Sequence, residues 1–437
     1  MTPLSLRAYS ALWWLVLPLV LFRLWWRGRK EAGYREHISE RLGFYSTPPS
    51  ASFIWVHAVS VGETRAAELL IHSLLKKYPE HHVLLTHMTP TGRATGAHLF
   101  RHQPRVHQAY IPYDTLNLTQ RFISKFNPKM CLLMETEVWP SLIDSCHKAG
   151  VPMALINARL SERSLRRALW FDGLLGDALQ KIDSVISQTQ ADADRLQRFC
   201  LLYTSDAADE GLGAQSISIA GSLKFDIAPP EAMLALGKQW RAQMGDRSVF
   251  LCASTREGEE ALLLDAYMST TLDPRVLVVI VPRHPQRFDD VVQLLEARGL
   301  RWQRRSQWGT ETLSASTQVV LGDSMGEMFA YYAACDVAFI GGSLLSLGGQ
   351  NLIEALSCGK PVLVGPHTFN FAQVTADAIT AGAAIRVSDA HHLFLCAVEV
   401  LSQKQEYQAL SQVAKQFCSQ HQGATEKTLE LLSHHLA

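Results

Sequence analysis

Phe53-Ile54-Trp55-Val56-His57-Ala58-Val59-Ser60-Val61-Gly62-Glu63-Thr64-Arg65 is the stretch on which the architecture turns. Phe53–Ala58 is a short run of β-forming residues, and Thr64–Lys77 continues with helical spacing. Between them Gly62 lets the chain turn sharply. A strand that runs through a tight turn into a helix opens a parallel α/β unit. Glu63 then stands at the start of the helix, where the dipole favours its charged form and suits it to act as a general base near neutral pH. A helix-capping glutamate fits the same position, and position alone does not choose between the two.

The alternation continues on both sides of this stretch. Strands are expected at Phe53–Ala58, His82–His87, Gln108–Ile111, Met130–Met134, Pro152–Ile156, Ser184–Ser187 and Ser216–Ile219. A second series is expected at Val249–Cys252, Val276–Val281, Gln318–Leu321, Val337–Ile340 and Pro361–Val364. Two prolines near Ile227–Glu231 interrupt the pattern. With 437 residues the chain exceeds what one core usually serves. The expectation is an α/β protein with two Rossmann-like domains, 31–230 and 231–437, facing a cleft. Ligands of such sheets sit beyond the carboxyl ends of the strands. Cys200–Glu210, CLLYTSDAADE, stands apart: it matches, residue for residue, one reading frame of a widely used transposase sequencing adapter. It is expected to be a foreign insert, and no function is placed there.

Residues 1–30 form a third segment. Fifteen uncharged residues, Ala8–Phe22, lie between Arg7 and Arg23, and Arg27, Arg29 and Lys30 follow without an acid. Fifteen helical residues reach roughly 22 Å, short of a hydrocarbon core of roughly 30 Å. Arg23 can snorkel and the Trp13-Trp14 and Trp25-Trp26 pairs suit an interface, so a short span and a shallow anchor both remain open. The basic cluster places the body of the protein in the cytoplasm. Over the whole chain 41 basic residues balance 41 acidic ones, which argues against a nucleic-acid partner. Eight scattered cysteines with no CxxC give no zinc site and suit a reducing compartment.

Charged groups gather at the expected strand ends. Met134-Glu135-Thr136-Glu137-Val138-Trp139-Pro140 puts two carboxylates at alternate positions, on one side of a continuing strand, before Pro140 opens a helix. Arg159 in Asn157-Ala158-Arg159-Leu160, Lys224 in Gly221-Ser222-Leu223-Lys224 and Arg283 in Val281-Pro282-Arg283-His284 supply cations, which suits anionic substrates. Gly341-Gly342-Ser343 and Gly348-Gly349-Gln350-Asn351 read as loops whose backbone N–H groups can approach a phosphate, with Glu354 placed to accept from a ribose hydroxyl. Gly322-Asp323-Ser324-Met325-Gly326-Glu327 is positioned to wall a nucleobase. No GxxxxGK[ST], HExxH or GxSxG string occurs, and no GxGxxG follows the first strand. A DxD-type metal motif is read as absent, which favours metal-independent transfer.

Taken together, these strings resemble the 3-deoxy-D-manno-octulosonic acid (Kdo) transferase family of lipopolysaccharide biosynthesis. RGRK at 27–30, SVGET at 60–64, MTPTG at 88–92, METEVWP at 134–140, NARLS at 157–161, GSLKFD at 221–226, VPRHPQRF at 281–288, GDSMGE at 322–327 and GPHTFNF at 365–371 carry the resemblance, in family order. It implies an inverting glycosyltransferase of the GT-B fold at the cytoplasmic face of the bacterial inner membrane, with CMP-Kdo as donor, lipid IVA as acceptor and no cofactor. It implies Glu63 as proton acceptor and Glu135 and Lys224 as transition-state supports. CMP contacts fall on Pro282, Arg283, Met325, Gly326, Glu327, Asn351, Leu352, Ile353 and Glu354. Gln350-Asn351-Leu352-Ile353-Glu354 departs slightly from the family's commoner His-Asn-Pro-Leu-Glu, but Asn351 and Glu354 are kept. Competing readings are a UDP-sugar-dependent GT-B transferase acting on a membrane lipid, a non-catalytic nucleotide-sugar-binding protein and a structural membrane protein.

Overall fold

Phe53 and Trp55 pack into one apolar layer and Ile54 and Val56 into another, each at most 1% exposed. Alternate residues of one strand thus feed the two faces of a sheet covered on both sides. That strand, β1 (Ser52–His57), lies inside the first sheet, third of its seven strands. The computed structural model describes residues 3–29, 31–46, 50–201, 216–270 and 273–436. They divide into two compact units, Met1–Asp226 with Gln422–Ala437, and Ile227–His421.

Unit 1 adds β2 (His81–His87), β3 (Val106–Tyr110), β4 (Met130–Met134), β5 (Met153–Ala158), β6 (Ser184–Ser187) and β7 (Ser216–Ile219). They run parallel in the order β3-β2-β1-β4-β5-β6-β7. Unit 2 contains β8 (Ser248–Thr255), β9 (Val276–Pro282), β10 (Trp302–Arg304), β11 (Val319–Leu321), β12 (Val337–Ile340), β13 (Val362–Val364) and β14 (Ala384–Arg386). Its parallel order is β10-β11-β9-β8-β12-β13-β14. The two Rossmann-like sheets that were expected are both present. In each, the chain first winds to one side and then returns to the other, so the strand order switches between β1 and β4 and between β8 and β12. Ligands of doubly wound sheets bind at such switch points, beyond the strands' carboxyl ends.

Several elements differ from expectation. The helix expected over Thr64–Lys77 is two, Val61–Ala66 and Glu68–Lys77, and the first starts earlier because Ser60 caps it. The edge strands β10 and β14 were not anticipated; three residues each are too few to show a period. The chain also returns to unit 1 at its end, where Ala424 and Leu432 of the helix Ala424–Leu436 join the layer containing Leu70 and Leu74. Asp226 fixes that return by accepting from the Gly423 N–H at 2.7 Å and from the Thr425 N–H. Of the segment Cys200–Glu210, Cys200 and Leu201 end the helix Gln190–Leu201, and the rest lies outside the described residues.

The apolar run near the start becomes a helix over Leu4–Arg27, long and apolar enough by length and composition to cross a membrane. One side is docked. Leu17 packs with Tyr113 and Leu118, flanked by Trp13, Leu21 and Leu24, and the Ser10 hydroxyl accepts from the Leu116 N–H at 3.1 Å. The other side leaves Leu12, Leu15, Leu19, Phe22 and Trp26 exposed. Arg35 closes the helix by donating twice to the Trp25 carbonyl, at 3.1 and 3.0 Å, the favourable end for a cation.

Candidate functional site

Glu63 lies in the first turn of the helix Val61–Ala66, directly beyond β1 and at the switch point of unit 1. Ser60 caps the helix, its hydroxyl accepting from the Glu63 N–H at 3.4 Å and donating to Glu63 Oε1 at 2.7 Å. The Val59 N–H donates to Oε2 at 2.8 Å. The helix-capping reading holds: Glu63 closes the local cap in the manner of a capping box, and the closure fixes its carboxylate in one orientation. Burial raises the Glu63 pKa, the bonds from Ser60 and Val59 pull it down, Glu135 raises it and Lys224 lowers it. The direction is upward, towards a stronger base.

Glu135 follows β4, on the other side of the switch point. It is buried and adopts φ 55, the left-handed region that a non-glycine residue occupies at a cost. Arg159 Nε lies 2.8 Å from Glu135 Oε2, and Lys224 Nζ lies 2.8 Å from Oε1. Two cations on one buried carboxylate answer its charge and are themselves held in place. The segment that carries Lys224 is tied to β5 through the neighbouring Leu223. Asn157, also left-handed at φ 51, accepts from the Leu223 N–H through Oδ1 at 3.1 Å.

The expectation that Glu135 and Glu137 share a side of a continuing strand needs correction, because β4 ends at Met134 and Glu135 reverses the backbone. The turn brings Glu137 back towards the same group by another route. Its carboxyl accepts from Trp139 Nε1 at 2.9 Å and is pushed up to about 7, first by burial and next by Glu63. Glu63, Glu135, Glu137, Arg159 and Lys224 thus form one interacting set within unit 1.

Unit 2 assembles the other predicted residues around the ends of β9, β11 and β12. Pro282 ends β9, and the Arg283 N–H donates to the Thr255 carbonyl at 2.9 Å. Glu354 and Arg283 both act on the buried Tyr332 hydroxyl, whose pKa is raised foremost by burial, so the three lie together. Asn351 accepts from the Ile353 N–H at 3.0 Å and donates to Glu354 at 3.2 Å, which orients that carboxylate. Leu352 and Ile353 are fully buried, so their side chains are not presented at the surface. Glu327 pairs with Arg305 at 3.4 Å, Gly326 turns at φ 80, and Met325 is 58% exposed.

The glycine loop after β12 is built differently from its expected role. The N–H groups of Gly342 and Leu344 already donate to an internal anion, the fully buried carboxylate of Glu259, which also takes the Arg256 N–H at 2.9 Å. The glycine at 341 is needed because a Cβ there would stand 2.5 Å from the Ser254 carbonyl oxygen. The absence of a DxD string is corrected as well: Asp192-Ala193-Asp194 is one. Asp192 is used inside the helix Gln190–Leu201, accepting from the Leu160 N–H at 3.0 Å and from the Thr189 hydroxyl at 2.6 Å.

The family profile described as "3-Deoxy-D-manno-octulosonic-acid transferase (kdotransferase)" matches residues 36–227, which include the whole carboxylate set. A 3-deoxy-D-manno-octulosonic acid transferase of Bordetella pertussis is 44% identical over 426 residues, 95% of this chain and 96% of its own length. The chain belongs to the Kdo transferase family. A second Kdo transferase, from Haemophilus influenzae, is 34% identical over 438 residues, covering 98% of each chain. Among solved structures, a UDP-GlcNAc 2-epimerase from Neisseria meningitidis aligns with 88% of this chain and all of its own, at TM-score 0.57 and 16% identity. That likeness speaks for the fold alone, the paired α/β units of the GT-B type. In this Kdo transferase, residue-by-residue reading missed Ser60, Arg256, Glu259 and Tyr332. Ser60 was legible, since serine three residues before glutamate is a capping-box signal. Glu259 was not, because its partners at Gly342 and Leu344 lie more than eighty residues away.

Proposed function

We propose that the enzyme is an inverting, metal-independent glycosyltransferase that moves Kdo from CMP-Kdo to lipid IVA. One observation carries the reading: a buried carboxylate at the end of β1, with both oxygens fixed and its pKa raised, beside a Glu135–Lys224–Arg159 set. Glu63 takes the proton of the acceptor hydroxyl as its oxygen attacks the anomeric carbon of Kdo. The bond from that carbon to the phosphate oxygen breaks, and its electron pair leaves with CMP. Attack opposite the leaving group inverts the centre. A positioned base is worth roughly 10²–10⁴-fold in such a step. Glu135 and Lys224 support the transition state, Lys224 as the cation and Glu135 as the group that holds it. Arg283 answers the phosphate charge, while Pro282, the 325–327 turn and Asn351–Glu354 hold the nucleotide.

The exposed apolar side of the helix Leu4–Arg27, with Trp14, Trp25 and Trp26, is the surface that meets lipid. Because its opposite side is docked on unit 1, the helix brings the catalytic unit to the membrane at the cytoplasmic face. Incubation with CMP-Kdo and lipid IVA, followed by mass spectrometry of the lipid, tests the reaction and counts the sugars. CMP is expected to protect against thermal unfolding while UDP does not. Glu63→Ala is expected to abolish transfer and to keep CMP protection. Protection by UDP alone would assign the enzyme to a different donor.

A further inference from the structure

The proposed donor carries two negative groups, a phosphate and the carboxylate of its acidic sugar. Recognition of both calls for separate cations, and a guanidinium is the side chain whose planar fork matches a carboxylate. In unit 2 the predicted nucleotide contacts follow β9, β11 and β12. The strand between β9 and β12 is β8, which lies at the switch point and carries none of them. Its chain end leads into Arg256.

Arg256 is held in place with unusual firmness. Ser254, two residues earlier, adopts φ 55, and the pairing of β8 with β9 shifts register between Ala253 and Thr255. Such strain persists only where surrounding structure enforces it, and it clusters at working sites. The enforcement comes from Glu259, which ties the Arg256 N–H to the loop after β12. The Arg256 side chain runs past Gly342, its Cγ 3.5 Å from where a Cβ of that residue would stand. Arg283 is the neighbour on the other flank, bonded through its N–H to Thr255. His284 reports both: its pKa is lowered by burial, then by Arg256, then by Arg283.

Among the described residues the Arg256 guanidinium has no carboxylate partner and no hydrogen-bond acceptor. The nearest acids in sequence that are buried are already engaged: Glu259 by three N–H groups, and Glu260 by the Thr255 hydroxyl at 3.0 Å and by Arg287. Elsewhere in the unit Arg241, Arg298, Arg304 and Arg305 each have an acidic partner. A half-buried cation grouped with another and left without a counter-ion is completed by an anionic ligand.

We infer that Arg256 binds the carboxylate of the transferred sugar and sets the enzyme's specificity for acidic over neutral sugars. This rests on reading unit 2 as the CMP-sugar site. The test uses the full-length protein with Arg256→Met, Arg256→Lys and Arg283→Met, comparing KM for CMP-Kdo with the inhibition constant of CMP. For Arg256→Met, KM for CMP-Kdo is expected to rise about 10- to 100-fold, the size of a lost charge-assisted contact, while CMP inhibition stays within about 2-fold. Arg256→Lys should fall between wild type and Arg256→Met, and it serves as the readout if the methionine variant does not fold. Arg283→Met should weaken both ligands. Equal loss of CMP and CMP-Kdo in the Arg256 variants would make this residue a phosphate ligand and overturn the assignment, as would no change in either. Failure of wild type to bind CMP would instead refute the nucleotide reading of unit 2.

Discussion

Glu63 closes its helix cap with both carboxylate oxygens, and in the proposed mechanism the same two oxygens serve as the base, which makes that chemistry sensitive to Ser60. The Ser60 hydroxyl donates to the carboxylate and so favours its ionised form. Ser60→Ala removes that support, the Glu63 pKa rises further, and a higher pH is needed to ionise it. The acid limb of the kcat/KM profile is therefore expected to move to higher pH, and an unmoved or lowered limb would show that another group titrates there. Glu137 gives a prediction of stability. Its folded pKa of about 7 lies above its ordinary 4.5, so its stabilising contribution is complete below the unfolded value and is lost as pH rises through about 7. Glu137→Gln stays neutral throughout. It should match wild type near pH 4 and exceed it at pH 8 by on the order of 1 kcal/mol, a figure discounted for partial exposure, in urea midpoints taken at both pH values.

At the scale of elements, the first helix has two apolar sides with different employment. Leu17 is 5% exposed against Tyr113 and Leu118, whereas Leu15 is 76% exposed. Leu17→Ala should cost about 2 kcal/mol of unit 1 stability, at the low end for a large-to-small change because the surrounding cluster is small. Leu15→Ser should leave the urea midpoint unchanged and weaken binding to anionic vesicles several-fold. Reversed behaviour of the two variants would show that the docked side has been misassigned. The amphipathic logic was visible in the sequence only as an unbroken apolar run, because lipid and protein core select the same residue types. Which side faces the body of the protein is settled by Tyr113 and Leu118, about a hundred residues away.

At the scale of the whole molecule, the chain's last helix belongs to the unit that its first two hundred residues build. Leu432 is fully buried in the layer that holds Leu70 and Leu74, so Leu432→Ala should destabilise unit 1 by about 2–4 kcal/mol. Hydrogen exchange is expected to accelerate in the amides of β1 and β4 and to leave those of β8 and β12 unchanged. Faster exchange confined to unit 2 would contradict the placement of this helix.

By its resemblance the sequence pointed to the family, and by itself it determined the two parallel sheets and the candidacy of Glu63, Glu135, Lys224 and Arg283. Those depend on neighbours in the chain: strand-forming runs, glycine turns, and charged residues left at strand ends. Only the tertiary structure decided that Glu135 and Asn157 take left-handed backbones, that Glu259 fills the glycine loop expected for phosphate, and that Arg256 stands without a counter-ion among the described residues. The physical reason is range. Backbone sterics and apolar periodicity act within a few residues, while a buried carboxylate chooses partners by packing, and packing joins positions that the chain keeps far apart.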